Sequence, residues 1–205
     1  MLVTDAKRSL RREIKEALCQ IAGAQFVSAG EAAAAALLMF IDARVPKDSA
    51  ARVVALFASL PTEIDTRPLD ERLRHAGFAR ALPAVVEGAL VFRTLLDPRL
   101  ASHDLPRGPM GIPTPPPSLP AIDQALCDIV VVPGLAFDLH GGRLGYGRGL
   151  YDRALMSVDL SRAVGVCLDD QLVPAVPRED HDVRLRWLCT PARGVFALED
   201  DSARR

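Results

Sequence analysis

The strongest constraint on the fold is a glycine cluster that lies just downstream of an apolar run. Five of the chain's 14 glycines fall within residues 141–149, in the sequence GGRLGYGRG, and the apolar run DIVVVPG precedes them at 128–134. Glycine costs conformational entropy on folding, so such a cluster indicates a backbone that bends sharply or approaches another group closely. A buried strand, a glycine-rich turn and a helix direct backbone amides toward an anion. The segment predicts either a phosphate site or a tight structural turn.

The remaining pattern alternates helices with strand-length apolar runs. Leu10, Ile14 and Leu18 repeat at helical spacing, and a second helix is predicted to begin at the capping box Ser28-x-x-Glu31 and to run to about residue 43. This alternation predicts an α/β fold with an open, mostly parallel sheet and helices on both faces, a three-layer, Rossmann-like arrangement. Further helices are predicted at 66–77 and 149–158, and strands at 52–60, 79–86, 89–93, 128–134, 162–168, 186–190 and 194–198.

Eight prolines between residues 97 and 123 exclude regular structure there. This segment could be a domain linker. We favour a long surface loop, because the flanking halves are too small and too poor in strands to bury separate cores. We therefore expect one domain over residues 1–198, followed by a charged, flexible tail at 199–205.

Composition argues against several classes of protein. Lys and Arg number 25 and Asp and Glu number 26, and this balance disfavours a broad nucleic-acid interface. The longest apolar run, at 32–41, is ten residues long, too short to span a bilayer, and the charged N-terminus lacks a signal-peptide core. The four cysteines are far apart and form no CxxC pair, which favours a reducing compartment. We expect a cytoplasmic protein with no membrane or nucleic-acid partner.

Several charged residues have both a functional and a structural interpretation. Lys7 and Arg11 share one helix face and could converge on a triphosphate, or they could belong to a solvated basic stripe. Asp152 follows the glycine cluster and could simply compensate a helix dipole. Glu63 follows a strand, near the sheet edge where open α/β folds place ligands, but it could instead begin a helix. Asp138 is predicted to pin a loop.

The segment VVVPGLAFDLHGGRLGYGRGLYDR closely resembles the signature of the 5-formyltetrahydrofolate cyclo-ligase family, also called 5,10-methenyltetrahydrofolate synthetases. Three weaker matches occur in the family's order: KRSLRREIK at 7–15, PTEIDT at 61–66 and REDHDVRLRWLCT at 178–190. Together they cover nearly the whole chain. The resemblance implies an α/β enzyme that uses ATP and Mg²⁺ to close 5-formyltetrahydrofolate into 5,10-methenyltetrahydrofolate, with release of ADP and phosphate.

The resemblance also implies roles for individual residues on the nucleotide side. Arg148 and Lys7 are the implied catalytic cations, because a cation over the transferring phosphoryl group would stabilise its charge. Mg²⁺ is implied at Asp152 and Asp182, whereas the neighbouring His181 is expected to be structural. The residues implied to bind ATP are Lys7, Arg11, Arg143, Gly145, Gly147, Arg148, Gly149 and Tyr151.

On the folate side, the resemblance implies that Glu63 holds the pterin through its N–H donors. The other residues implied to contact the substrate are Arg11, Ala58, Arg148 and Leu150. Position 150 departs from the family, which has two consecutive tyrosines where this chain has Leu150 and Tyr151. We expect a monomer whose ligands are ATP and the folate. A noncatalytic folate- or nucleotide-binding homologue is the main alternative, and a sugar-phosphate isomerase is a third possibility without a convincing set of bases.

Overall fold

The structure is a computed structural model that describes residues 3–47, 52–108, 111–179 and 182–199. Its α-helices lie close to the predicted segments, and the last of them is shorter than predicted. Helix α4 has only six residues instead of ten, so its dipole makes a small contribution to any anion site. The helices are α1 (Val3–Cys19), α2 (Gly23–Asp42), α3 (Arg67–His75) and α4 (Leu150–Leu155).

Eight strands of the described chain form one mixed sheet. In spatial order they are β10 (Gly194–Ala197), β9 (Trp187–Thr190), β8 (Ala163–Val166), β5 (Ile129–Val132), β1 (Val53–Ala55), β2 (Ala79–Val86), β3 (Ala89–Leu95) and β4 (Ala121–Ile122). The five strands from β9 to β2 pair in parallel, and the edge strands β10, β3 and β4 pair antiparallel. A separate hairpin joins β6 (Ala136–Phe137) to β7 (Arg143–Leu144).

Side chains of the parallel strands alternate between two cores. Val54 and Val131 pack with residues of α1, α2 and α3, whereas Val53 and Val130 pack with Leu155 of α4 on the opposite side. Strands that are buried on both faces need apolar residues at every position, which explains the continuous runs in the sequence. The prediction of an open, mostly parallel sheet with helices on both faces is confirmed.

The predicted start of α2 at the Ser28 capping box is wrong. The helix begins at Gly23, and the Ser28 hydroxyl lies inside it, donating to the Gln25 carbonyl oxygen at 3.1 Å. Phe26 in the added turn is buried in the core, so tertiary packing extends the helix beyond the local capping signal. Gly30 then lets α2 approach the backbone of Asp65 so closely that a Cβ atom would not fit.

Helix α2 also bears on the expectation about membranes. Among the described residues it is the helix long and apolar enough to cross a bilayer, judged by length and composition alone, and 44% of its most apolar window is buried. Leu37 and Ile41 pack in the core beneath the sheet. A core helix meets the same criteria, so the apolar composition of α2 is explained by its packing here.

The first predicted strand, 52–60, is much shorter in the structure and ends at Ala55. The apolar residues that follow, Leu56 and Phe57, are buried as the chain leaves the sheet. These two residues belong to a loop that packs into the core, and a run of apolar letters does not distinguish such a loop from a strand. The sequence analysis did not anticipate the β6–β7 hairpin, whose turn contains Gly141 and Gly142. The hairpin lies between β5 and residues 145–149, the glycine-rich loop, which contains the other three glycines of the cluster.

The proline-rich segment folds back onto the sheet. Leu105 packs against Leu82 and Leu95, and the fully buried Arg80 forms an ion pair with Asp70 at 3.2 Å while donating to backbone carbonyls of this segment and of β3. The sheet contains strands from both sides of the segment, since β1 lies between β2 and β5. The predicted flexible tail lies outside the described residues except for Glu199.

Candidate active site between strands β1 and β5

The strand order reverses between β1 and β5. From β1 the chain proceeds outward to β2 and β3, and from β5 it proceeds in the opposite direction to β8 and β9. Loops that leave the carboxyl ends of two such strands diverge and open a crevice, which is where open α/β folds bind ligands. The loop at 56–66 carries Glu63, and the segment after β5 carries the glycine-rich loop.

Glu63 is buried, with 7% of its surface exposed. Its Oε2 accepts the Leu60 backbone N–H at 2.8 Å, and its Oε1 accepts the Tyr146 hydroxyl at 2.7 Å. Burial raises the pKa of Glu63 above its ordinary value, and the two hydrogen bonds oppose that rise. Glu63 is therefore a buried acceptor, held by neutral donors, at the carboxyl end of β1.

The glycine-rich loop packs against Arg11. Arg11 of α1 donates its Nε–H to the Gly145 carbonyl oxygen at 2.9 Å. Gly147 has φ of +100°, and a Cβ atom there would lie 3.5 Å from the Arg11 guanidinium carbon. Gly149 precedes α4 in the left-handed conformation with φ of +60°. These φ values explain why glycine occupies both positions.

Arg143 and Asp152 form an ion pair across this loop. Arg143 Nη2 donates to Asp152 Oδ1 at 2.6 Å, and Arg143 Nη1 donates to the Pro133 carbonyl oxygen at 3.3 Å. The Arg143 side chain is almost wholly buried, whereas the Asp152 side chain retains 21% of its exposure. The pair holds the carboxylate of Asp152 at the mouth of the loop with one edge open to solvent.

Lys7 lies between two carboxylates from a distant part of the chain. Its ammonium group is 2.7 Å from Glu179 Oε2 and 2.5 Å from Asp182 Oδ2. Burial opposes the charged form of Lys7, but the hydrogen bonds and charges of Asp182 and Glu179 outweigh it and raise the pKa of Lys7. An open cleft of about 520 Å³ adjoins this group and is lined by Val176, Arg178, Glu179, Asp182 and Arg184. His181 lies outside the described residues.

Tyr151 points inward. Its hydroxyl is buried and has no hydrogen-bond partner in the described residues, and its ring lies 6.0 Å from the Arg143 guanidinium. Burial, reinforced by the nearby charge of Glu63, raises the pKa of Tyr151. An unpaired buried hydroxyl is costly unless a ligand or water satisfies it.

For the remaining predicted residues, the described structure shows no side-chain hydrogen bond to these groups. Arg148 is exposed, and Leu150, the first residue of α4, is half-buried. Ala58 is half-buried and packs against the cluster that the proline-rich segment covers. Asp138, predicted to pin a loop, does so: its carboxylate accepts backbone N–H groups of His140, Gly142 and Val176.

Two residues of this site escaped the sequence analysis. Tyr146 lies between Gly145 and Gly147, inside the glycine cluster at 141–149, and an aromatic residue flanked by glycines is a usable signal. Glu179 lies three positions before Asp182, and nothing in the sequence indicates that both carboxylates face Lys7. That contact depends on residues 172 positions apart.

Asp152 and Asp182 each have the donor chemistry that Mg²⁺ prefers, and each is held by a different cation of this chain. Among the described residues, no group of three or more His, Cys, Asp or Glu side chains could hold a metal ion by itself. Asp152 and Asp182 offer hard oxygen donors, each next to a cation that a phosphate could recruit. Mg²⁺ commonly takes one or two carboxylates and completes its shell with phosphate oxygens and water.

Known proteins resemble the chain over most of its length. The sequence model of the 5-formyltetrahydrofolate cyclo-ligase family matches residues 3–191. The 5-formyltetrahydrofolate cyclo-ligase of Escherichia coli K12 is 34% identical over 157 residues, which are 70% of this chain and 80% of that protein. That of Mycolicibacterium smegmatis is 44% identical over 85 residues, which are 41% of this chain and 44% of that protein.

Solved structures agree with this match. The NMR structure of Aquifex aeolicus 5,10-methenyltetrahydrofolate synthetase superposes with a TM-score of 0.75 and 27% identity, covering 95% of this chain and 93% of that one. The synthetase from Mycoplasma pneumoniae gives a TM-score of 0.69 at 17% identity, covering 90% and 98%, and supports the fold alone. The family model covers far more than half of the sequence, and the chain belongs to the 5-formyltetrahydrofolate cyclo-ligase family of enzymes.

Proposed function

We propose that the protein catalyses the ATP- and Mg²⁺-dependent cyclisation of 5-formyltetrahydrofolate to 5,10-methenyltetrahydrofolate, with release of ADP and phosphate. The observation that carries this proposal is the 2.7 Å hydrogen bond from Tyr146 to Glu63. It joins a buried carboxylate, suited to a pterin, to a loop lined by arginines, suited to phosphates. Both substrates would thus meet in one crevice.

The chemistry explains why such a crevice needs cations. The formamide oxygen of the substrate is a poor leaving group. Attack of this oxygen on the γ-phosphorus of ATP would form an O–P bond and expel ADP. The neighbouring amine would then attack the activated carbon and lose its proton to solvent, and phosphate would leave with the former formyl oxygen. The protein's task is to position the reactants and to neutralise phosphate charge.

Specific residues suit each part of this task. Arg11 and Arg143 would orient the nucleotide at the glycine-rich loop, and the exposed Arg148 would reach over the transferring phosphoryl group. Asp152 and Asp182 would hold Mg²⁺, which, when bound, neutralises charge on the phosphates. Lys7 would exchange its carboxylate partners for phosphate oxygens.

A second set of residues would contact the folate. Glu63 would accept N–H groups of the pterin, and Ala58 and Leu150 would provide apolar surface beside it. We propose that the protein acts as a monomer. The three buried cysteines are free thiols, which suits the reducing cytoplasm that we propose as its location.

Absorbance of the methenyl product tests the proposal. The full chain is mixed with 5-formyltetrahydrofolate and Mg²⁺, with and without ATP, and we expect product only with both ATP and Mg²⁺, at one ADP per product. Omission of Mg²⁺ with excess chelator is the matched control. Binding of both ligands without turnover would identify a noncatalytic homologue, and product formation without ATP would contradict the proposed chemistry.

A further inference from the structure

Tyr146 makes a contact that neither phosphate binding nor the glycine-rich turn requires. It belongs to the glycine-rich loop, yet its hydroxyl donates to Glu63, 83 residues away, at 2.7 Å. We infer that Tyr146 is a positioning residue: it fixes the Glu63 carboxylate so that the two oxygens together accept a pair of N–H donors from the substrate's pterin ring. This inference rests on the proposed function.

The acceptor count of Glu63 supports this role. An ionised carboxylate has about four acceptor positions, two on each oxygen. The Leu60 backbone N–H occupies one position on Oε2, and the Tyr146 hydroxyl occupies one on Oε1. One position remains on each oxygen. Two adjacent N–H groups, such as a ring N–H and its neighbouring amino group, match that pair in the same way as a bidentate guanidinium.

The hydroxyl is the part of Tyr146 that makes a specific contact in the site. About a third of the residue is exposed, and the Lys15 ammonium lies 5.7 Å from its ring centroid. The ring therefore contributes little to the core, whereas the hydroxyl reaches a carboxylate that is nine-tenths buried. Without that hydroxyl, Glu63 would keep the Leu60 N–H as its one donor among the described residues, and nothing on Oε1 would fix the orientation of the carboxylate.

The hydrogen bond from Tyr146 should also affect the protonation of Glu63. The groups around Glu63 are the hydroxyls of Tyr146 and Tyr151, with Arg143 beyond Tyr151 and Lys15 beyond Tyr146. Burial raises the pKa of Glu63, and the Tyr146 hydrogen bond counteracts it. Loss of the hydroxyl should raise that pKa further. Because protonated Glu63 loses one acceptor, folate binding should then fail at a higher pH than in the wild type.

The test uses Tyr146→Phe in the full chain, with calorimetric titration of 5-formyltetrahydrofolate and, separately, of ADP, between pH 5 and 8. The phenylalanine keeps the ring and the loop. Relative to the wild type, we expect the variant to bind folate about tenfold more weakly and to bind ADP with an affinity within about twofold. The loss of folate affinity on acidification should begin at a higher pH. In a Glu63→Gln background the same substitution should change folate affinity by about twofold or less.

The outcomes separate the inference from the proposed function. Unchanged or tighter folate binding by Tyr146→Phe, while the wild type binds folate and Glu63→Gln binds it about 10-fold to 100-fold more weakly, would overturn the inference alone. An equal loss of ADP affinity would also overturn it, because Tyr146 would then only support the loop. A wild type that fails to bind 5-formyltetrahydrofolate, or a Glu63→Gln variant that binds it normally, would overturn both.

Discussion

The carboxylates on the two sides of the crevice are held in opposite ways. On the proposed nucleotide side, Asp152 is paired with Arg143, and both Asp182 and Glu179 are paired with Lys7. On the proposed folate side, Glu63 is more deeply buried, yet both of its hydrogen-bond donors among the described residues are neutral.

This difference matches the ligands that each side would bind. A phosphate and a divalent cation can enter by exchange, the phosphate taking the protein's cations and the metal taking its carboxylates. A pterin brings only neutral N–H donors, so a carboxylate already neutralised by a lysine or arginine would bind it less strongly. The proposed nucleotide side therefore consists of ion pairs whose members the ligands could separate. The proposed folate side offers a carboxylate that can still accept hydrogen bonds.

The largest expected effect is on the nucleotide side. Asp152→Asn should lower Mg²⁺-supported turnover on the order of 100-fold or more, because it removes a charged oxygen donor for the metal while preserving size. Steady-state turnover across a magnesium titration measures it, and circular dichroism checks the fold. Asp159→Asn, an exposed aspartate at the start of the next helical turn, is the control and should be fully active. Unchanged turnover of Asp152→Asn at limiting Mg²⁺ would remove Asp152 from the metal site.

On the folate side, Glu63→Gln should weaken 5-formyltetrahydrofolate binding by about 10-fold to 100-fold, the range for a hydrogen bond to a charged group, with ATP affinity nearly constant. Calorimetry of each ligand measures this, and Glu87→Gln at an exposed turn is the control. Equal losses of affinity for ATP and for the folate would show that the nucleotide and folate sides of the crevice are not independent.

The same variant should also alter the pH dependence. Burial raises the pKa of Glu63 above its ordinary value of 4.5. Wild-type folate affinity should therefore fall on acidification, with a midpoint above pH 4.5. The glutamine variant should not show this fall, because it has no carboxylate to protonate. The free energy of unfolding should depend on pH in the opposite direction to that expected from a salt-bridged carboxylate. Because the pKa of Glu63 is raised in the folded state, wild-type stability falls as the pH rises through that pKa. The cost in stability of Glu63→Gln, relative to the wild type, should therefore be smaller at pH 8 than at pH 5. Urea unfolding at both values measures it.

A third variant compares two adjacent cations of α1. Lys7→Met should lower the free energy of unfolding by about 2 kcal/mol, because it leaves two partly buried carboxylates facing each other. Arg8→Met, which removes an exposed i,i+3 pair with Asp5, should change it by about 0.5 kcal/mol or less. Urea unfolding at low salt gives both values. Equal effects would show that the Lys7 ion pairs are as weak as a surface pair.

The smallest effect is expected at the half-buried position 150. If a tyrosine there contacts the folate, Leu150→Tyr should tighten 5-formyltetrahydrofolate by roughly 1 kcal/mol, about fivefold, with ATP affinity unchanged. Separate titrations of the two ligands decide it. Weaker folate binding would mean that the pocket is shaped around leucine and is overpacked by the ring, and a change confined to ATP would assign position 150 to the nucleotide side.

Local patterns predicted the sheet well and some element ends poorly. The apolar runs at 128–134 and 162–168 became buried parallel strands, because strands covered on both faces need such runs. Sequence patterns failed beyond Ala55, where a buried loop has the same composition as a strand, and at Ser28, where Phe26 extends the helix. Propensity and capping are worth about 1 kcal/mol each, and core packing exceeds them.

The sequence by itself determined the α/β architecture, the family signature and the glycine-rich loop whose left-handed positions at 147 and 149 require glycine. Only the tertiary structure decided which polar side chains meet: Lys7 with Asp182 across 175 positions, and Tyr146 with Glu63 across 83. The reason is physical. Strand and turn preferences act over a few residues, whereas Tyr146 meets Glu63 because the order of strands in the sheet places the loops after β1 and β5 beside each other. Lys7 meets Asp182 because the fold brings helix α1 to the segment that follows β8.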